Sequence, residues 1–169
     1  IIGFKALDSN AISFGVAPRT NACGRMGDEK VALDLFLTKD LYEAKSLATK
    51  LNEYNKERQA IEKKIFDEAV EDIEKNEKNK NCIIVGKEGW HHGIIGIVAS
   101  KVTEMYFKPS ILVCFEGEEG KGSGRSIPGF DMHEALMKCG EHLERFGGHA
   151  MAVGVTVKKD EFNNFKNIL

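Results

Sequence analysis

The sequence predicts an α/β fold, a mixed β-sheet flanked by helices and preceded by a long connecting helix. Three observations lead there. The 17 glycines divide unevenly: Gly3, Gly15, Gly24 and Gly27 precede residue 40, none lies in 40–80, and the other 13 follow residue 81. Pro18, Pro109 and Pro128 avoid 40–80 as well. Inside that gap apolar residues recur at helical steps, and beyond it short apolar runs alternate with helical patterns.

The first zone, 1–39, opens with short apolar pieces at 1–7 and 12–16. The run FGVAPRTNACGRMGD follows, rich in turn formers and carrying two arginines. Asp28 is a plausible N-cap for a short helix through Leu37. The second zone, 40–80, reads as one helix capped by Asp40. Leu41, Ala44, Leu47, Leu51, Tyr54, Ile61, Ile65, Ala69 and Ile73 form its apolar stripe, with Arg58 filling a gap. At about 1.5 Å per residue it outreaches a small domain, so it is expected to join two bodies. Its heptads are imperfect, which makes a coiled-coil dimer arm the weaker reading and a monomer the expectation.

In the third zone, 81–169, residues 82–86 (CIIVG) read as a buried strand and 93–106 as a helix with a glycine-rich first turn. Residues 110–115 and 121–127 read as two more strands, the latter broken by glycines. Asp131 is expected to cap a helix running to about Leu143, with Glu134 in capping-box position. Residues 150–157 alternate as a strand, and Asp160 is expected to cap a last helix ending at Leu169. The order is βαββαβα.

The chain has 169 residues, enough for one domain plus an appendage. It begins at Ile1 without a methionine, so a fragment is expected. Lys and Arg number 24 against 26 Asp and Glu, a net charge of −2, which excludes a uniformly basic nucleic-acid binder and leaves room for a local basic pocket. No apolar run reaches the roughly 18 residues of a membrane span. Cys23, Cys82, Cys114 and Cys139 form no CxxC pair, which argues against a zinc ribbon and fits a reducing cytoplasm.

Three clusters carry candidate chemistry. In PRTNACGRMG, Arg19 and Arg25, with Asn21 between, suit phosphate recognition on a rigid turn, because a guanidinium is a planar bidentate fork. Spacing gives equal weight to their pairing with carboxylates of the long helix. In KGSGRSIPGFD, Ser123, Arg125 and Ser126 supply donors, and Gly122 and Gly124 would let a ligand approach the backbone. A glycine-rich strand with Arg125 on a surface acid is the competing reading. In RFGGHAMAVG, Gly147 and Gly148 precede His149, which on spacing alone is best read as bonding backbone at a turn. His91 and His92 are adjacent, so their side chains should diverge; His92 is the one expected to cap or orient the next helix. Met105, Met132 and Met137 read as core filler. Trp90 reads as a hydrophobic plug more readily than as a base-stacking platform. No catalytic centre and no metal-ligand spacing emerges.

Taken in order, APRTNACGRMG, LNEYNKERQAIEKKIFDEA, GWHHGIIGIVASKVTEMYFKPSILV, GSGRSIPGFDMHEAL and FGGHAMAVG resemble the RecJ-type single-strand-specific 5′→3′ DNA exonucleases of the DHH phosphoesterase superfamily. The resemblance covers nearly the whole chain. It implies that 1–39 is the tail of the DHH metal lobe, 40–80 the connecting helix and 81–169 the DHH-associated substrate-binding domain. The D-H-H motif, its companion Asp motifs and the family's OB-fold do not occur in these residues. The Mn²⁺ or Mg²⁺ pair of two-metal hydrolysis is therefore expected in a missing lobe, and the fragment alone is expected to be inactive. The implied partner is single-stranded DNA with its 5′ phosphate, in DNA repair and recombination. Ser123 and Arg125 match the S-x-R grip on that phosphate, joined by Arg25 or Arg19, with Arg25 preferred. Gly147, Gly148 and His149 match a substrate-contacting GGH run, which reverses the turn reading of His149. A related phosphodiesterase of short oligonucleotides or cyclic dinucleotides, or a non-catalytic binding or dimerisation module, are the alternatives.

Overall fold

The computed structural model describes residues 8–169, so the expected apolar piece at 1–7 lies outside it. The chain forms two compact units, Ile1–Ile61 and Glu62–Leu169.

In the first unit a π-helical segment, Ala11–Val16, runs directly into α1, Ala17–Arg25. The expected turn is thus a helix. Pro18, which has no N–H to donate, sits at the junction of the two segments, in the first turn of α1. Gly27, at φ +81°, turns the chain only after α1 has ended. Helix α2, Lys30–Leu37, follows, and α3, Leu41–Asp72, begins in this unit. Cys23, Val31 and Leu51 form the buried core, with Leu47 and Tyr54 packed on it. Asp28 does not cap α2. Its carboxylate accepts from Lys50 Nζ (2.8 Å) and Tyr54 OH (2.6 Å), which together hold it below the ordinary carboxylate range. Asp40 does cap α3, its Oδ1 accepting from the backbone N–H of Tyr42 (2.7 Å) and Glu43 (3.1 Å). Leu51, Ile65, Ala69 and Ile73 of the stripe are buried, whereas Leu41, in the first turn of α3, is exposed.

The second unit is built on a five-stranded mixed sheet. Its strands are β1, Ile83–Glu88; β2, Ser110–Glu116; β3, Glu119–Arg125; β4, Arg145–His149; and β5, Ala152–Lys158. The spatial order is β1-β2-β3-β5-β4, with only β1 and β2 parallel. Helix α4, His92–Tyr106, makes the crossover between that parallel pair. It ends at Phe107, in the left-handed region at φ +50°, two residues before Pro109. Short helices α5, Met132–Met137, and α6, Phe162–Ile168, complete the unit.

One face of the sheet carries Ile84, Ile111, Val113, Val153, Val155 and Val157 into a core with Met132, Leu136 and Phe165. Helices α5 and α6 therefore cover this face. The opposite face meets α4 at β3, because Gly96 lies directly over Ser123 and Arg125. The C-terminal part of α3 and the π-helical segment that follows it, Ile73–Glu77, are tied to the same unit: Lys101 Nζ reaches the buried Glu62 (2.5 Å), and Tyr106 OH donates to Glu74 (2.9 Å).

Several expectations are corrected. The run RFGGH is not a loop before a strand but edge strand β4, paired antiparallel with β5, so the order becomes βαββαββα. Helix α5 caps at Asp131 as expected, Oδ1 accepting from Glu134 N–H (2.9 Å), but stops at Met137. Gly140, a poor helix former, then opens a 3₁₀ turn, Gly140–His142, anchored by His142 Nδ1 against Glu161 (2.7 Å). Asp160 does not cap α6, because that helix starts one residue too late; Glu161 is the N-cap residue and its carboxylate engages His142 and Asn164 instead. His91, not His92, caps α4, Nδ1 accepting from Gly93 N–H (3.2 Å). The two rings do not diverge but stack, with centroids 5.4 Å apart. Met132 is core, but Met105 and Met137 are exposed.

Trp90 is buried, and its Nε1–H donates to Glu68 Oε2 (2.8 Å), with Lys87 Nζ on the same oxygen (3.1 Å). The indole bond first, then Lys87, holds the Glu68 carboxyl below its ordinary value. A carboxylate depressed in the fold contributes stability above its unfolded-state pKa and loses it as pH falls through the folded value. Acidification from about pH 6 to about pH 3 is therefore expected to lower the melting temperature of the wild type more than that of Glu68→Gln, followed by Trp90 fluorescence. Parallel pH profiles for the two proteins would remove Glu68 from the account.

Candidate functional site

In an antiparallel pair, residues directly opposite share a face, and a face advances by two residues per step. The register of β3, β5 and β4 therefore sets three rows on the face away from α5 and α6. Arg125, Ala152 and His149 form the first. Ser123, Gly154 and Gly147 form the second, and Lys121, Thr156 and Arg145 the third. Ser123, Arg125, Gly147 and His149, picked from separate sequence runs, thus stand on one surface.

The middle of this surface is bare backbone. A Cβ built on Gly147 meets nothing within 4 Å, and one on Gly154 meets only Gly122 O at 4.0 Å. Gly122 and Gly124 do the opposite of what their spacing suggested. They face the core, where a Cβ at 124 would lie 2.7 Å from both Met132 Sδ and Val153 Cγ2, and one at 122 would lie 2.5 Å from Val155 Cγ2. Their missing side chains admit core packing, not a ligand.

Arg125 is held in place by its own strand. Its Nη1 donates to Ser123 Oγ (3.0 Å) and to Gly124 O (2.7 Å), and its carbonyl accepts from Thr103 Oγ1 (3.3 Å). Gly96 of α4 makes room for this pair: a Cβ there would lie 2.9 Å from Ser123 Oγ and 3.2 Å from Arg125 Nη2. The hairpin that presents His149 turns through residues 150–151 and is pinned by two backbone bonds, Ser126 N–H to Met151 O and Met132 N–H to Ala150 O, both 3.0 Å. Gly148, at φ +138°, faces the core side of β4, and a side chain there would strike Ala152 O and come within 2.8 Å of Val153 Cα. Its part is to let the backbone pass, while Gly147 leaves the floor open.

Ser126 departs from the expected set. It is buried, and its hydroxyl donates to Phe130 O (2.7 Å). That bond closes a turn in which Phe130 N–H reaches Ile127 O and Gly129 supplies φ +90° after Pro128. In the first unit Arg19 is occupied structurally, Nε donating to Asn52 Oδ1 (3.0 Å) and Nη1 to Gly15 O (2.7 Å). Its partner on α3 is an amide, not the carboxylate considered from spacing. Arg25 is exposed in the last turn of α1.

The chemistry available on the sheet face is anion binding. Ser123 Oγ accepts from the Arg125 guanidinium, and among the described residues no carboxylate or imidazole is bonded to its hydroxyl. The thiols offer no nucleophile either: all four are buried and free, and burial pushes Cys82 up to about 12 and raises Cys114 and Cys139. Lys121, Arg145, Gly96 and Gly154 were not singled out from sequence. Only the register brings the first two beside the glycine floor.

The DHHA1 domain family model matches residues 79–169, which contain the whole sheet, α4 and every residue of the three rows. The chain belongs to the DHHA1 domain family. Over 164 residues it is 39% identical to the single-stranded-DNA-specific exonuclease RecJ of Bacillus subtilis (strain 168), covering 96% of this chain and 21% of that protein. The RecJ of Escherichia coli (strain K12) is 36% identical over 169 residues, 95% of this chain and 29% of that one. Among solved structures, RecJ from Thermus thermophilus in complex with Mg²⁺ superposes with a TM-score of 0.89 at 32% identity, covering 99% of this chain and 26% of that chain. The same protein in complex with Mn²⁺ gives 0.87. The chain thus spans between a fifth and a third of the length of these curated relatives.

Mg²⁺ and Mn²⁺ in those relatives raise the question of whether the DHHA1 domain or the first unit could hold them. Among the described residues no three His, Cys, Asp or Glu side chains gather as a metal-holding group, so the residues present do not fit such an ion. What the DHHA1 domain presents is the row pattern above. Among the described residues no helix is long and apolar enough to cross a membrane.

Proposed function

We propose that this chain is the substrate-gripping part of a RecJ-type exonuclease that degrades single-stranded DNA 5′→3′. In this reading 1–39 is the tail of the metal lobe, 40–80 the connecting helix and 81–169 the DHHA1 domain. The Mn²⁺ or Mg²⁺ ions belong to residues outside this chain, and hydrolysis with them. The observation that carries the reading is the convergence of Ser123, Arg125, Gly147 and His149 on one glycine-floored face. A terminal phosphate there meets the Arg125 guanidinium and the Ser123 hydroxyl, while the floor lets the sugar–phosphate backbone lie close to the sheet. Gly148 shapes the hairpin. Of the two arginines in the first unit, Arg25 is kept as the phosphate contact on the resemblance to RecJ-type enzymes. A cytoplasmic role in DNA repair and recombination agrees with four free thiols.

The test is binding by the 169-residue chain at low salt, read by fluorescence anisotropy. A 5′-phosphorylated single strand is expected to bind about tenfold more tightly than the same strand with a 5′ hydroxyl, because one charge-assisted contact is worth roughly 1.5 kcal/mol or more. Equal affinities, or tighter binding of a cyclic dinucleotide that has no terminal phosphate, would overturn the reading.

A further inference from the structure

We infer that the cavity beside Arg125, between α4 and the β4–β5 hairpin, takes the nucleobase of the 5′-terminal nucleotide, with Met151 against its face and Glu104 accepting from its amine. The inference rests on the function proposed above and adds a base subsite to the phosphate grip. In that reading the bond beyond this nucleotide lies at metal ions outside this chain. The terminal nucleoside is therefore the part of the substrate left between the grip and the chemistry.

The cavity has a volume of about 190 Å³ and is lined by Ser100, Thr103 and Glu104 of α4, by Arg125 and Ser126 where β3 ends, and by Met151 of the hairpin. Sites for drug-sized molecules run to about 300–1,000 Å³, so this one suits a single heterocycle. It lies beyond the Arg125–Ala152–His149 row, at the opposite end of the face from Lys121 and Arg145. Arg125 belongs to both places: its guanidinium holds the terminal phosphate, and its side chain is part of the cavity wall. Only the sugar separates that phosphate from its own base, so that base is the one within reach.

The lining selects a base over a second phosphate. Glu104 is exposed at the rim, and its carboxylate repels an anion. The hydroxyls of Ser100, Thr103 and Ser126 already donate to Gly96 O (3.2 Å), Arg125 O (3.3 Å) and Phe130 O (2.7 Å), so what they have left to offer is lone pairs. Acceptors match the exocyclic amine of a base, and a glutamate accepting from such an amine is a recurrent base contact. Met151 supplies the apolar wall. Its side chain is 47% exposed, on a hairpin fixed by the bond from Ser126 N–H to Met151 O (3.0 Å). A flexible, polarizable thioether packs well on a heteroaromatic ring.

The test is titration of the 169-residue chain with 2-deoxyribose 5-phosphate, deoxyadenosine 5′-monophosphate and thymidine 5′-monophosphate, followed by amide shifts. A single nucleotide has no neighbouring base to stack on, so a gain over the bare sugar phosphate reports contact with the protein. The adenylate is expected to bind about tenfold more tightly than the sugar phosphate and about threefold more tightly than the thymidylate, which has no exocyclic amine. Met151→Ala should narrow the first ratio to about threefold, and Met151→Leu, which keeps an apolar wall, should restore it. Glu104→Ala should abolish the second ratio. An adenylate no tighter than the sugar phosphate, or ratios untouched by both alanine variants, would overturn the subsite; with Arg125→Ala still weakening every probe, the end-binding reading would stand. If Arg125→Ala weakened none of them, the end-binding reading would fall and the subsite with it. Equal melting temperatures of wild type and Met151→Ala are expected, the side chain being exposed; a lowered one would mark Met151 as structural and count against the subsite.

Discussion

Arg125→Ala is expected to weaken binding of a 5′-phosphorylated single strand by about ten- to a hundredfold and to abolish the preference for phosphate over hydroxyl at that end. The magnitude follows from losing a charge-assisted contact worth roughly 1.5–3 kcal/mol. The side chain is fixed before any ligand arrives, by Ser123 Oγ at 3.0 Å and Gly124 O at 2.7 Å, so little ordering is left to oppose binding. Arg125→Lys is expected to recover only part of the loss, since an ammonium cannot fill the planar fork that bridges Ser123 and an anion. Anisotropy titrations of paired 5′-phosphate and 5′-hydroxyl strands check both variants. A retained preference in Arg125→Ala would take this residue out of the site.

Gly148→Ala is expected to be the most damaging single-methyl change in the second unit. Backbone at φ +138° costs an L-residue about 1–3 kcal/mol. The added Cβ also strikes Ala152 O and Val153 Cα, which are backbone atoms of the paired strand and cannot rotate aside. The melting temperature is expected to fall by roughly 4–10 °C, and His149 should lose its place in the Arg125 row. Gly147→Ala is the internal contrast. A Cβ there meets nothing, so the melting temperature should stay within about 2 °C while phosphate affinity falls, because the methyl stands on the open floor. Thermal unfolding and titration of the two variants side by side separate conformation from contact. A Gly148→Ala protein as stable as Gly147→Ala would contradict the assignment of their roles.

These two neighbours also show where sequence reading stops. The GGH run was legible as a motif, but which glycine bends the chain and which clears the surface depends on the face each occupies in β4. That strand was itself illegible: two glycines give it little β propensity, and it forms because β5 offers it an edge. The same inversion occurs at Gly122 and Gly124, where a pattern that suggested ligand approach turned out to admit Val153, Val155 and Met132. The α1 run failed for a related reason, since Pro18 and Gly24 suggest a turn unless the proline falls in a first helical turn. By contrast α3 was readable from Asp40 onward, because a cap and a long periodic stripe are local signals. Ser123, Arg125 and His149 were legible as residue types in suggestive company. Their alignment, and the presence of Lys121 and Arg145 beside them, depends on strand register, which pairs residues far apart in the chain.

On the proposed function, the β3–β5–β4 face opposite α5 and α6 receives the phosphate end of a single strand. Titrating the ¹⁵N-labelled chain with a 5′-phosphorylated tetrathymidylate, and following backbone amide shifts, tests it most directly. Ser123, Arg125, Gly147, His149 and Gly154 are expected to shift most, Lys121 and Arg145 next, with Met132, Leu136 and Phe165 of the opposite core unmoved. Shifts confined to α5 and α6, or spread evenly over the second unit, would contradict it.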